Sequence, residues 1–214
     1  MKRSQDIDLK TFYTSPRANQ FSFYLFEVDA PECYQDWFEV IRNAGPDDLI
    51  KIHINSPGGR IDTTLQLVRA LQDSQATVVT SVEGECASAA TIVFLCADTF
   101  EVTPNSLFMF HNYSGGARGK GGEMYDKIVF EKDWLEGLMR DAYKNILTDE
   151  ELERMLIGKD VYKTSAEMLE ILQRRADIER AEDEALCATT EEEEEELPEF
   201  GQDFFPIQDK VQPE

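Results

Sequence analysis

The chain has 214 residues, 42% of them apolar, and a formal net charge of −22. That length suits one globular domain with a substantial core, with room for an appendage. The charge argues against binding nucleic-acid phosphates and against docking on anionic lipid.

The charge is unevenly spread: residues 179–214 carry 14 acidic and 2 basic side chains. The four cysteines, Cys33, Cys86, Cys96 and Cys187, form no C-x-x-C pair, and there are only two histidines, so no metal site is expected. Cys86 and Cys96 lie in apolar context and read as buried thiols. The start, MKRSQDIDLK, has no apolar segment of the secretory kind. No apolar run reaches the ~18 residues that span a bilayer. A reducing cytoplasm, no membrane and no nucleic-acid partner are the expectations.

Residues 1–20 are polar and read as a flexible arm. FSFYLFEVDA (21–30), aromatic and β-branched, predicts a strand. PECYQDWFEVIRNA (31–44) spaces apolar residues as a helix does, and GPDD (45–48) is a turn. LIKIHIN (49–55) alternates and predicts a strand, with His53 facing away from Ile52 and Ile54. SPGG (56–59) breaks the chain before a helical stripe over 60–74. ATVVTSVEG (76–84) predicts a strand and SAATIVFLCAD (88–98) a buried helix. DTFEVTP (98–104) reads as a short strand or hairpin, and SLFMFHN (106–112) as a strand. This alternation predicts an α/β fold with a mostly parallel sheet.

SGGARGKGG (114–122) is a mobile loop by composition, and 123–156 predicts a helix pair with a T-x-x-E cap at Thr148 and Glu151. A short extended stretch and a second capping box, Thr164 with Glu167, precede the last helix. From about 179 the chain is expected to be an acidic, largely disordered tail, because the run Glu191–Glu196 repels itself and cannot bury. A solvated appendage is the simpler reading of that tail. The alternative is a docking element anchored by Phe200, Phe204, Phe205 and Ile207.

Three features could carry chemistry. SPGG between strand and helix is either a tight turn or a cradle of backbone N–H groups for an oxyanion. It is not a phosphate loop, lacking the G-x-x-x-x-G-K-[ST] spacing. Ser88 in GECASAAT (84–91) is either a helix cap or a nucleophile on a sharp turn, with the Ala89 N–H beside it. His111, ending a strand, is either a structural histidine or a base at the edge where α/β sites gather.

Taken together, INSPGG (54–59), G-x-x-A-S-A-A (84–90) and TPNSLFMFHN (103–112) resemble the motifs of the Clp protease proteolytic-subunit family, in the same order and at similar spacing. DVYKTSAEM (160–168) resembles a fourth. The resemblance covers roughly residues 21–175. It implies a crotonase-like fold of stacked βαβ units over 21–178, with a projecting strand–helix handle near 113–145. It implies a serine endopeptidase that cleaves unfolded polypeptides or peptides through an acyl-enzyme and uses no cofactor. Ser88 matches the nucleophile, His111 the base and Asp160 the third triad member. Gly59 and Ala89 match the oxyanion-hole donors. A peptide adding to a sheet edge would lie along Gly58, Gly59, Asn112, Tyr113 and Ser114. The family implies a homo-oligomer, a heptameric ring that can stack in pairs, served by an AAA+ ATPase unfoldase.

The chain also departs from the pattern. Cys86, Ala89 and Ala90 surround the serine differently, Asn112-Tyr113 replaces Gln-Pro, and the acidic tail is foreign. Such divergence suits a phage-encoded or otherwise specialised member. Three rival readings stand beside this one: a non-catalytic or latent ring subunit, a crotonase-type acyl-CoA enzyme, and a Ser–Lys dyad using Lys120 or Lys127.

Overall fold

The computed structural model describes residues 18–195, with side chains to residue 186. Residues 1–17 of the expected N-terminal arm and 196–214 of the expected tail lie outside them. Six strands form one mixed sheet: β1 (Gln20–Leu25), β2 (Leu49–Ser56), β3 (Thr77–Ala87), β4 (Thr99–Val102), β5 (Leu107–Phe110) and β6 (Val161–Thr164). The order is β1-β2-β3-β5-β6, with β4 also paired to β3. Every pairing is parallel except β5 with β6. The stretch 98–104 therefore resolves as a strand parallel to β3 rather than a hairpin.

The helices are α1 (Gln35–Asn43, entered by a 3-10 turn at Pro31–Tyr34), α2 (Ile61–Gln72), α3 (Ala89–Leu95), α4 (Gly121–Ala142), α5 (Asp149–Leu156) and α6 (Ser165–Glu195). The alternation in β2 sets its faces. Ile50, Ile52 and Ile54 are fully buried, and each contributes about 1.5–3 kcal/mol by leaving water. Lys51 and His53 point to the other side, where they pair with Glu101 at 2.7 Å and Glu83 at 2.5 Å. Helix α3 has no polar face and is buried at every residue. Its Phe94 packs on Phe100 and Phe108, with ring centroids 5.2 and 5.3 Å apart.

Both predicted capping boxes form. Glu151 N–H donates to Thr148 Oγ1 while Thr148 N–H donates to Glu151, and the same exchange joins Thr164 and Glu167. Lys163 of β6 also donates to Glu151, which ties α5 to β6. Burial pushes the Glu151 carboxyl upward, but the bonds from Lys163 and Thr148 outweigh it and leave the group below its ordinary value.

Backbone contacts divide the chain into a first unit ending at Leu172 and a second beginning at Gln173. In the second unit α6 runs on to Glu195, so residues 179–195 are helical where the sequence predicts a disordered tail. The composition explains this: Ala, Leu, Arg and Glu are strong helix formers. Arg175 pairs with Glu179 at 2.6 Å, and Arg180 pairs with Asp177.

Candidate active site

The site sits where three chain segments meet at the ends of parallel strands. β3 is the longest strand and changes partner along its length. Val79–Val82 pair with β4, and Glu85–Ala87 pair with β5. The change follows a register shift: Ile54 faces Val82 but Ser56 faces Cys86, so β3 advances four residues while β2 advances two. Asn55 secures the shift, its Oδ1 accepting the Glu85 N–H at 3.0 Å. It lies over Gly84, where a Cβ would come within 2.6 Å of that oxygen.

The end of β3 delivers Ser88 into a conformation few non-glycine residues adopt, φ 54° and ψ −129°. Such strain costs about 1–3 kcal/mol and persists only where surroundings enforce it. Here the Ser88 N–H donates to Met109 O at 2.8 Å, and the Ser88 carbonyl accepts from both the N–H and the hydroxyl of Thr91. Ser88 stands at the N-cap of α3, yet its side chain makes no capping bond. Its Oγ lies instead 2.6 Å from His111 Nε2.

The SPGG turn closes over this serine. Gly58 has φ 97°, and a Cβ there would meet Ala87 O at 2.6 Å and the Ser88 Cβ at 2.7 Å. Gly59 bridges to Val28, whose N–H donates to Gly58 O and whose carbonyl accepts from the Arg60 N–H, each at 2.8 Å. A Cβ on Gly59 would lie 2.1 Å from Val28 O. Ser56 is buried and its Oγ accepts the Gly58 N–H at 3.1 Å. Gly59, Ser88, Ala89, His111, Tyr113 and Ser114 line one cleft of about 500 Å³, with apolar walls from Ile92, Trp134, Leu135, Met139 and Tyr143. The carboxylates Glu27, Asp29 and Glu131 also border it.

Asp160 is placed differently. It is exposed and borders a second hollow with His111, Asn112 and Gly158. Its Oδ2 accepts from the Tyr162 hydroxyl at 3.4 Å, and among the described residues no hydrogen bond joins it to His111. Asn112 does not point freely into the cleft. Its Nδ2 donates to Leu156 O at 2.6 Å and its Oδ1 accepts the Tyr113 N–H at 2.8 Å, which binds the end of β5 to the end of α5. Sequence reasoning missed Thr91 and Tyr143, whose hydroxyls lie 2.9 Å apart beneath the serine. A lone threonine in an apolar helix was the available signal. Burial pushes the Tyr143 phenol up to about 12, and it drives the Cys86 thiol well up too, so neither ionises near neutrality.

A strained serine bonded to a histidine in a glycine-walled cleft defines a site suited to acyl transfer. The Clp protease family model matches residues 36–133. The chain is 31% identical over 101 residues to the ATP-dependent Clp protease proteolytic subunit 2 of Pseudomonas aeruginosa, covering 45% of this chain and 50% of that protein. It is 30% identical over 115 residues to the ATP-dependent Clp protease proteolytic subunit 1 of Gloeobacter violaceus, covering 51% and 56%. The chain thus spans about half the length of these relatives. Over that stretch, and in its mixed α/β fold, the chain is similar to the Clp protease proteolytic subunits.

Proposed function

We propose that the protein is a serine endopeptidase that cleaves unfolded polypeptides or peptides inside an oligomeric ring. The observation that carries this reading is the 2.6 Å contact between Ser88 Oγ and His111 Nε2 at a strained turn. For His111 to act as base, Nε2 must accept the Ser88 proton, which leaves the other ring proton on Nδ1. Ser88 then attacks the peptide carbonyl and its proton passes to His111. The oxyanion is held by the N–H groups of Gly59 and Ala89. His111 returns the proton to the leaving amine as the C–N bond breaks, and water releases the acyl group by the same steps in reverse.

Asp160 is the proposed orienting carboxylate, brought to His111 Nδ1 across the hollow they share. The substrate strand runs beside Gly58, Gly59, Tyr113 and Ser114, with Asn112 holding the wall it runs along. Residues 21–178 form the peptidase domain, with α4 as the handle. The work is done in the cytoplasm, as a homo-oligomeric ring fed by an AAA+ ATPase.

A second reading has one observation in its favour: Asp160 accepts from Tyr162 rather than from His111, as a latent ring subunit would have it. Hydrolysis of a fluorogenic unstructured polypeptide separates the two. Cleavage by the wild type that falls at least about 10³-fold in both Ser88→Ala and His111→Ala supports the peptidase, since triad members act as a unit. Equal background rates in all three support the latent subunit.

A further inference from the structure

Thr91 lies in the first turn of α3, fully buried, and its hydroxyl sits between two oxygens. Its Oγ1 is 2.6 Å from the Ser88 carbonyl and 2.9 Å from the Tyr143 hydroxyl. A threonine hydroxyl has one proton, and a carbonyl can only accept. That proton therefore goes to Ser88 O, and the Tyr143 hydroxyl must be the donor to Thr91. The chain of donors runs in one direction, Tyr143 to Thr91 to Ser88 O, and each bond polarises the next. The Thr91 N–H donates to the same carbonyl at 2.9 Å. Tyr143 caps the C-terminal end of α4, is 1% exposed, and has its ring edge-on to Phe110 with centroids 5.1 Å apart.

We propose that Thr91 and Tyr143 are positioning residues that aim the Ala89 N–H into the cleft by anchoring the carbonyl of Ser88. The inference rests on the peptidase reading above, in which that N–H holds the oxyanion. The geometry follows from the peptide unit itself. The bond between Ser88 and Ala89 is planar and trans, so its C=O and N–H point in opposite directions. Two donors that hold the carbonyl toward the core turn the N–H outward, beside Ser88 Oγ. A serine at φ 54° has no intrinsic preference for this orientation, so the anchor has to come from outside the turn. The device also links the end of α4 to the reacting atoms, although α4 supplies no group to the chemistry.

The test separates positioning from ordinary structural support. Thr91→Val strands the buried Tyr143 hydroxyl and is expected to lower the melting temperature. The double variant Thr91→Val/Tyr143→Phe removes both partners and regains much of that loss, because two apolar groups of the same shape leave nothing unsatisfied. The two explanations diverge on this double variant. Positioning predicts that it stays folded yet reacts with a fluorophosphonate at Ser88 about tenfold more slowly, with kcat down and KM little changed. Losing an oxyanion donor outright costs about 10²–10³, and misaiming one costs part of that. Thr91→Ser, which restores the hydroxyl, recovers the labelling that Thr91→Val loses.

A double variant that is folded and labels at the wild-type rate overturns the proposal, while the wild-type signal keeps the peptidase reading intact. Crystal structures of the wild type and the double variant give a readout independent of activity. A rotated Ser88–Ala89 peptide plane supports the anchor even if the wild type fails to label, and an unmoved plane contradicts it.

Discussion

At the scale of single residues, the site is built from positions where only one side chain, or none, fits. Gly59 shows this most sharply: its φ is 147° and a Cβ would lie 2.1 Å from Val28 O. Strain and overpacking each cost about 1–3 kcal/mol, so Gly59→Ala is expected to destabilise the protein by about 3 kcal/mol in chemical denaturation. A loss under about 1 kcal/mol would mean that the bridge to Val28 is not maintained in solution. SPGG could be read in the sequence as a turn with exposed N–H groups because its glycines mark unusual backbone. Ser88 and His111 could be singled out from their motifs. That Ser88 makes no cap and that Asn112 is spent on Leu156 could not, because both depend on which partner the fold brings within reach. Thr91 and Tyr143 are 52 residues apart, and no local pattern joins them.

At the scale of elements, periodicity served well where burial is one-sided. β2 alternates cleanly, and the two capping boxes stand where T-x-x-E and its counterpart at Thr164 predict them. It served less well for β3, which runs three residues past its predicted end, because the extension is stabilised by pairing with β5. Over 179–195 the backbone continues α6 where a charge count predicted disorder; helix propensity favours this, and the Arg175–Glu179 pair supports the turn that leads in.

The α5–β6 tie makes a prediction about pH. Glu151 lies below its ordinary value in the folded state, so its stabilisation is fully present above the unfolded carboxylate pKa of about 4.3. That stabilisation is lost as pH falls through the lower folded value. Glu151→Gln is expected to cost about 1–2 kcal/mol at pH 7 and to flatten the decline in melting temperature below about pH 4.5. Parallel pH profiles for the two proteins would contradict this account of the tie.

At the scale of the whole molecule, helix α4 carries apolar surface that the described residues do not cover. Leu135 and Met139 are buried. Tyr125, Ile128 and Val129 continue the same stripe at helical spacing and are 70%, 48% and 41% exposed. Such a patch marks an interaction surface, and in the proposed ring it is where copies meet. Ile128→Glu lies away from the cleft. It is expected to leave the stability of the subunit within about 0.5 kcal/mol of wild type while shifting sedimentation toward smaller species. An unchanged assembly would remove α4 from the interface.

The central claim is that Ser88 is an activated nucleophile, and intact mass after treatment with a fluorophosphonate tests it most directly. The account predicts one added phosphonyl group on the wild type and none on Ser88→Ala. An assembled wild type that gains no mass, or a Ser88→Ala variant that gains as much, would contradict it.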